Sequence, residues 1–204
     1  MALKGEAAVM EKVSFTRLQD GTAEEYAFLE PLEEQYCHDV VNRLFEHLRK
    51  LDESLGGYQV SRLEHCLQSA TRALRAGEDD DMIVGALLHD IGDILAPCNH
   101  DELAAAIVRP YLREEVTWIV QYHATFQKFY YADKLGGDKN ARNKFTGHPY
   151  FDACVRFCED YDENCFDGTY DSLELEEFRP YMERVFARKP WDPEVLKPQL
   201  EKII

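Results

Sequence analysis

Hydrophobic residues along this chain recur mostly at three- and four-residue steps, and almost nowhere in the alternating pattern of a strand. Over residues 23–55, Val41, Leu44, Leu48, Leu51 and Leu55 keep helical spacing until Gly56-Gly57 end the run. A second helix is expected from about Val60 to Ala76, stopped at Gly77. Asp79, Asp80 and Asp81 then offer an N-cap and first-turn carboxylates for "MIVGALLHDIG". The next helix opens near Asn99, runs through "HDELAAAIV" and breaks at Pro110. "REEVTWIVQYHATFQKFYY" follows as an amphipathic helix, and the polar stretch from Lys134 to Pro149 reads as a loop. Helical spacing returns over Tyr150–Cys165 and Leu173–Arg188, and prolines punctuate the tail "KPWDPEVLKPQLEKII". The pattern predicts an all-α helical bundle, one domain over 1–204, with a core at about 58–166 and flanking helices over 23–55 and 173–200.

Composition narrows the partners. A chain of 204 residues, 45% hydrophobic, has enough apolar material for a full core. A net charge of −16 argues against nucleic acid and anionic membranes as partners. No run approaches the ~18 apolar residues of a membrane span. "MALKGEAAVMEKVSF" lacks the apolar centre of a secretory signal. The six cysteines form no CxxC pair, and Cys37, Cys66, Cys154 and Cys158 fall in helical segments, as small buried side chains do. A reducing, cytoplasmic setting is expected.

The seven histidines carry the chemistry. His38 and His47 sit among charged neighbours and read as surface or packing residues, and His148 in "TGHPY" as a loop residue. The other four fall one to a segment: His65 in "RLEHCLQSA", His89 in "LLHDIGD", His100 in "NHDELAAA" and His123 after "WIVQY". Each has apolar neighbours at helical distance, which turns its ring inward. Four separate buried rings each need a partner, or each costs about 1–3 kcal/mol. One metal cluster satisfies all four. Imidazole with carboxylate suits Fe, Mn, Zn or Ni. Asp90, beside His89, has two oxygens with which to bridge two ions. Glu159, Asp160, Asp162 and Glu163 in "CEDYDEN" are the candidates for a further carboxylate.

The order His65, His89-Asp90, His100, His123, Asp162 resembles the ligand order of the HD-domain superfamily. More narrowly, it is similar to the HD-domain mixed-valent diiron oxygenases, and "LEHCLQSA" and "ALLHDIGD" look most like their phosphonate-cleaving branch. The resemblance implies a single HD domain in which His65, His89, Asp90 and Asp162 hold one iron. His100 and His123 then hold the other, with Asp90 as the catalytic bridge. Asp162 is preferred over Asp160 because Tyr161-Asp162 matches the family's aromatic-Asp pair. It further implies an Fe(II)/Fe(III) cofactor and dioxygen as co-substrate. Two positions depart from the pattern. Asp93 stands where relatives often carry a phosphonate-binding histidine. Tyr58 is the nearest equivalent of a Tyr/Glu gate, without its glutamate.

Phe126, Phe129, Tyr130 and Tyr131 crowd the segment after His123. Aromatic faces with a carboxylate suit a quaternary ammonium, so Asp93 and at least one of Tyr58, Phe126, Tyr130 and Tyr131 are expected at a cationic end. Lys128, Arg142 and Lys144 are expected at a phosphonate end. The resemblance then implies a small zwitterionic substrate, (R)-1-hydroxy-2-(trimethylammonio)ethylphosphonate, cleaved to glycine betaine and phosphate. A metal-dependent phosphohydrolase on the same ligand set is the alternative enzyme. A signalling module with a relic site is the non-enzymatic one.

Overall fold

The structure, a computed structural model, describes residues 11–196. Among them there are helices, turns and loops but no strand, so the fold is all-α. They fall into two compact units that part between Val40 and Val41.

The first unit is organised by one helix, α1, Ala23–His38. Thr22 caps it by accepting from the Glu25 backbone N–H at 3.2 Å, and the Glu25 carboxylate accepts from the backbone N–H groups of Thr22 and Ser14. Glu25 is the sole buried residue of α1, so the helix lacks an apolar stripe. The division falls after the first residue of α2, Val40–Lys50, so the second unit opens with the rest of α2 and a 3₁₀ turn at Leu51–Glu53. One helix was expected over 23–55, but the chain breaks at Asp39, whose N–H closes α1 on the Gln35 and Cys37 carbonyls. The break falls where the apolar spacing begins: Val41, Leu44, Phe45, Leu48 and Leu51 are all buried.

Four elements of the second unit frame the interior: α3 (Arg62–Arg75), α4 (Asp80–Leu88), α5 (His100–Val108) and α6 (Glu114–Tyr131). Ser61 and Glu64 form the capping box that starts α3, and Asp79 caps α4 through the Met82 N–H. α3 packs on α4, and α5 on α6. Gly85 allows α4 to approach α6, because a Cβ there would lie 2.5 Å from Val116 Cγ1. Asp81 ties α4 to its surroundings by accepting from the Arg113 backbone N–H at 2.8 Å and from Arg188 at 2.6 Å. Ile83, Leu87, Leu88 and Ile119 are at most 1% exposed. Truncating any of the four to alanine costs about 2–5 kcal/mol.

The remaining elements are α7 (Phe151–Phe157), α8 (Arg179–Phe186) and the short α9 (Pro193–Leu196). α8 packs on α4. The helix expected over Tyr150–Cys165 is α7 followed by one π-helical turn, Cys158–Asp162, which packs on α3. The expected loop after Lys134 contains 3₁₀ turns at Ala132–Leu135 and Ala141–Phe145. The helix expected over Leu173–Arg188 is a 3₁₀ turn, Leu175–Phe178, running into α8. The flanking segment was expected to reach residue 200; its last part lies outside the described residues. Among the described residues no helix is long and apolar enough to cross a membrane. All six cysteines are free, with Cys66, Cys154, Cys158 and Cys165 buried.

Candidate metal centre

Each ligand candidate is delivered by a different element. His65 lies one turn into α3, and His89 and Asp90 follow the last turn of α4. His100 starts α5, His123 lies midway along α6, and Asp162 ends the π turn. The glycine of "LLHDIGD" has a steric role: a Cβ on Gly92 would lie 2.5 Å from the His100 carbonyl oxygen. Only glycine allows the turn after Asp90 to sit against the start of α5.

Six side chains converge in the interior. His65, His89, Asp90, His123 and Asp162 are at most 3% exposed. The imidazoles are oriented from behind. Nδ1 of His65 donates to the Cys165 carbonyl at 3.0 Å, that of His89 to Ala86 at 2.7 Å, and that of His123 to Val120 at 2.7 Å. A carbonyl only accepts, so each Nδ1 carries a proton, and in the neutral ring that a metal requires each Nε2 presents a lone pair inward. His65 Nε2 and His89 Nε2 then face each other at 3.0 Å, and His100 Nε2 and His123 Nε2 at 3.4 Å.

The carboxylates complete two groups. Asp90 Oδ1 is 3.1 Å from His100 Nε2 and 3.2 Å from His123 Nε2. Its Oδ2 is 3.5 Å from His65 Nε2 and 3.6 Å from His89 Nε2. Asp162 Oδ1 lies 3.3 Å from His65 Nε2 and 3.9 Å from His89 Nε2. Asp162 Oδ2 is buried with no hydrogen-bond partner. Inward lone pairs and an orphaned carboxylate oxygen are costly without a cation among them. The donor set therefore fits metal: His65, His89 and Asp162 can share one ion, and His89, Asp90 and His123 also lie within one ion's reach. Mixed imidazole and carboxylate ligation suits a first-row transition metal.

The electrostatics follow from burial and from Asp90. Burial holds the His89 imidazole down, at about 4, despite the Asp90 charge. Burial acts the same way on His123, but its hydrogen bond to Asp90 and the Asp90 charge outweigh it and raise the ring to about 9. Burial favours the neutral acid at Asp90, yet the surrounding imidazoles and Arg62 hold it well below the usual carboxylate range.

A cavity of about 1160 Å³ opens beside the cluster. His100, Arg62 and Gln127 form its inner wall; Gln127 donates to Asp162 Oδ1 at 2.8 Å. Of the residues expected at a substrate, Tyr58, Asp93, Tyr130 and Tyr131 line this cavity. The others are not brought to it. Phe126 is 0% exposed and packs against Trp118, Phe145 and Phe151, because α6 turns that face into the core. Arg142 lies over the Phe129 ring at 3.8 Å, and Lys144 over Phe145 at 4.8 Å. Lys128 is likewise absent from the cavity wall. Asp160 is exposed, unlike Asp162.

Among the cavity-wall residues not singled out in the sequence are Arg62, Gln127 and Phe166. Arg62 stands three residues before His65 and Gln127 four after His123, spacings that share a helix face with a ligand and were legible in principle. Phe166 stacks on His65 at 4.6 Å from beyond the π turn, where no periodicity points to it.

Residues 62–142 match the HD-domain family. The chain carries an HD domain. The matched span of this HD domain includes His65, His89, Asp90, His100 and His123, and Asp162 lies beyond it. A stretch of 97 residues is 33% identical to the 1-hydroxy-2-(trimethylamino)ethylphosphonate dioxygenase (glycine-betaine-forming) of Leisingera caerulea. That match covers 42% of this chain and 50% of the relative, so the similarity spans about half the length of the curated protein. It supports the oxygenase branch of HD-domain proteins.

Proposed function

We propose that this HD domain is a diiron oxygenase that uses dioxygen to cleave the C–P bond of a 1-hydroxyphosphonate. The leading substrate is (R)-1-hydroxy-2-(trimethylammonio)ethylphosphonate, with glycine betaine and phosphate as products. The observation that carries the reading is the division of Asp90: one oxygen faces His65 and His89, the other His100 and His123. This is the arrangement a bridging carboxylate needs.

In this reading His65, His89, Asp162 and Asp90 hold one iron, and His100, His123 and Asp90 hold the second. When bound, an Fe(II)/Fe(III) pair supplies Lewis acidity toward substrate oxygens and redox capacity toward dioxygen. The chain's own residues do the rest. Backbone carbonyls fix the imidazole tautomers, and Gln127 steadies Asp162. The aromatic faces of Tyr58, Tyr131 and Phe166 on the cavity wall suit a trimethylammonium, each contact contributing about 0.5–2 kcal/mol. The free cysteines fit the cytoplasm as the place of work.

The test is to load the protein with iron anaerobically, add the trimethylated hydroxyphosphonate, and follow the mixed-valent EPR signal, oxygen uptake and phosphate release. The unmethylated amine analogue is run alongside. Oxygen uptake with phosphate release, faster for the trimethylated compound, is expected. Equal or faster turnover of the amine analogue removes the quaternary ammonium from the reading. Release of phosphate from phosphate esters with no oxygen uptake assigns a phosphohydrolase instead.

A further inference from the structure

Asp93 was expected to face a cationic group on the substrate, but its nearest cation is internal. Arg62 Nε lies 3.5 Å from Asp93 Oδ2, and Arg62 Nη1 donates to Asp90 Oδ2 at 2.8 Å. Both side chains are largely buried, 15% exposed for Arg62 and 13% for Asp93, and both line the cavity. A guanidinium has five N–H donors in a planar fork. The hydrogen bond to Asp90 and the ion pair with Asp93 orient the Arg62 fork, and among the described residues no other hydrogen bond takes its remaining donors. The Tyr58 ring lies 5.9 Å from the guanidinium carbon and further limits its movement.

A fork held in plane at the inner wall of a cavity, beside the candidate metal ligands, is the arrangement that binds a tetrahedral oxyanion through paired hydrogen bonds. Lys128, Arg142 and Lys144, the cations first expected to do this, do not reach the cavity. We propose that Arg62 is the residue that recognises the phosphonate oxygens, and that Asp93 serves as its brace rather than as the partner of the ammonium. This assignment rests on the hydroxyphosphonate reading above and adds to it which end of the substrate lies against α3. It also accounts for a carboxylate beside an anion site: Asp93 acts on the anion through Arg62, which carries the opposite charge.

The experiment uses the full chain with two fragment probes, methylphosphonate for the anionic end and choline for the cationic end. Metal content is measured for wild type, Arg62→Met, Arg62→Lys and Asp93→Asn, and the dissociation constant of each probe by calorimetry under anaerobic conditions. Arg62→Met is expected to keep its metal and its choline affinity while its methylphosphonate affinity falls about tenfold or more, roughly 1.4 kcal/mol. Arg62→Lys keeps the charge but not the fork, and is expected to fall between the two. Asp93→Asn is expected to weaken methylphosphonate about threefold and leave choline unchanged.

Unaltered methylphosphonate affinity in Arg62→Met overturns the proposal, as does failure of wild type to bind the probe. Loss of metal in both Arg62 variants overturns it too, since Arg62 would then act only to hold Asp90. Loss of choline affinity in Asp93→Asn, with methylphosphonate unchanged, returns Asp93 to the ammonium. A wild-type protein that takes up no metal contradicts the oxygenase reading instead. The Arg62 assignment is then decided on the metal-free chain, where the same loss of methylphosphonate affinity is expected.

Discussion

On one side of Asp90, His65, His89 and Asp162 are at most 1% exposed, and each of the two imidazoles is anchored to a backbone carbonyl. On the other side His123 is equally buried and anchored, but His100 is 21% exposed and lines the cavity. Among the described residues no backbone carbonyl holds the His100 ring. The inner group is closed, as sites that only retain an ion are, and the outer group keeps one side open, as sites that exchange ligands do. Asp90 joins the two, so exposure differs within a few ångströms while the ligand types stay the same. In the proposed diiron reading, a single carboxylate then separates a holding function from a reacting one.

This contrast can be broken most severely at the bridge. Asp90→Ala is expected to strip metal from both groups, leaving near-zero content by elemental analysis, rather than slowing turnover with metal retained. Full metal content in that variant removes the bridge from the argument. The next effect separates the halves: His89→Ala should empty the inner group, whereas His100→Ala should leave about half the wild-type metal. If His100→Ala loses everything, the halves are not independent.

The halves also differ in the protons that metal must displace. Without metal, His123, at about 9, is charged at neutral pH, while His89, at about 4, is already neutral. Loading the outer group therefore releases a proton from His123. Apparent affinity for that ion should rise with pH, by up to about tenfold per unit, until pH approaches 9, and then level off. His89 adds no such dependence above about pH 5. Metal titrations between pH 6.5 and 9 check this, and a flat profile counts against the His123 assignment. Gln127→Leu removes the donor to Asp162 Oδ1 and should weaken the inner ion by about 10–100-fold. The smallest effect is expected outside the cavity: Lys128→Ala and Arg142→Ala should change KM for the hydroxyphosphonate by less than about twofold, within the range of ordinary surface substitutions.

Most helices were legible from an apolar stripe behind a cap, as in Ser61–Arg75, or from a continuous apolar run behind one, as in Asp79–Leu88. The inward histidines were legible for the same reason, since apolar neighbours at helical spacing fix the direction of a ring. The break at Asp39 was less so, because a polar helix such as α1 carries no stripe whose end could mark it. Among substrate residues, aromatic content misled at Phe126. A helix can bury an aromatic in the core or turn it to a cavity, and only the packing partners Trp118, Phe145 and Phe151 decide. At Asp93 the position on the cavity was legible, but its pairing with Arg62 depends on how α3 lies against the turn after α4.

The π turn at Cys158–Asp162 makes the winding of the chain there part of the site. Bonding five residues back sets Asp162 on the same side as Phe157, whose ring meets His89 edge-on at 5.7 Å. In an unbroken α-helix, residues five apart point about 140° away from each other. Rewinding this turn as an α-helix with its length unchanged would rotate the Asp162 carboxylate off the cluster, with every amino acid that binds metal still present. Here the winding of the backbone is part of the chemistry, and an ungapped alignment to an unbroken α-helix will pair Asp162 with a position that faces elsewhere.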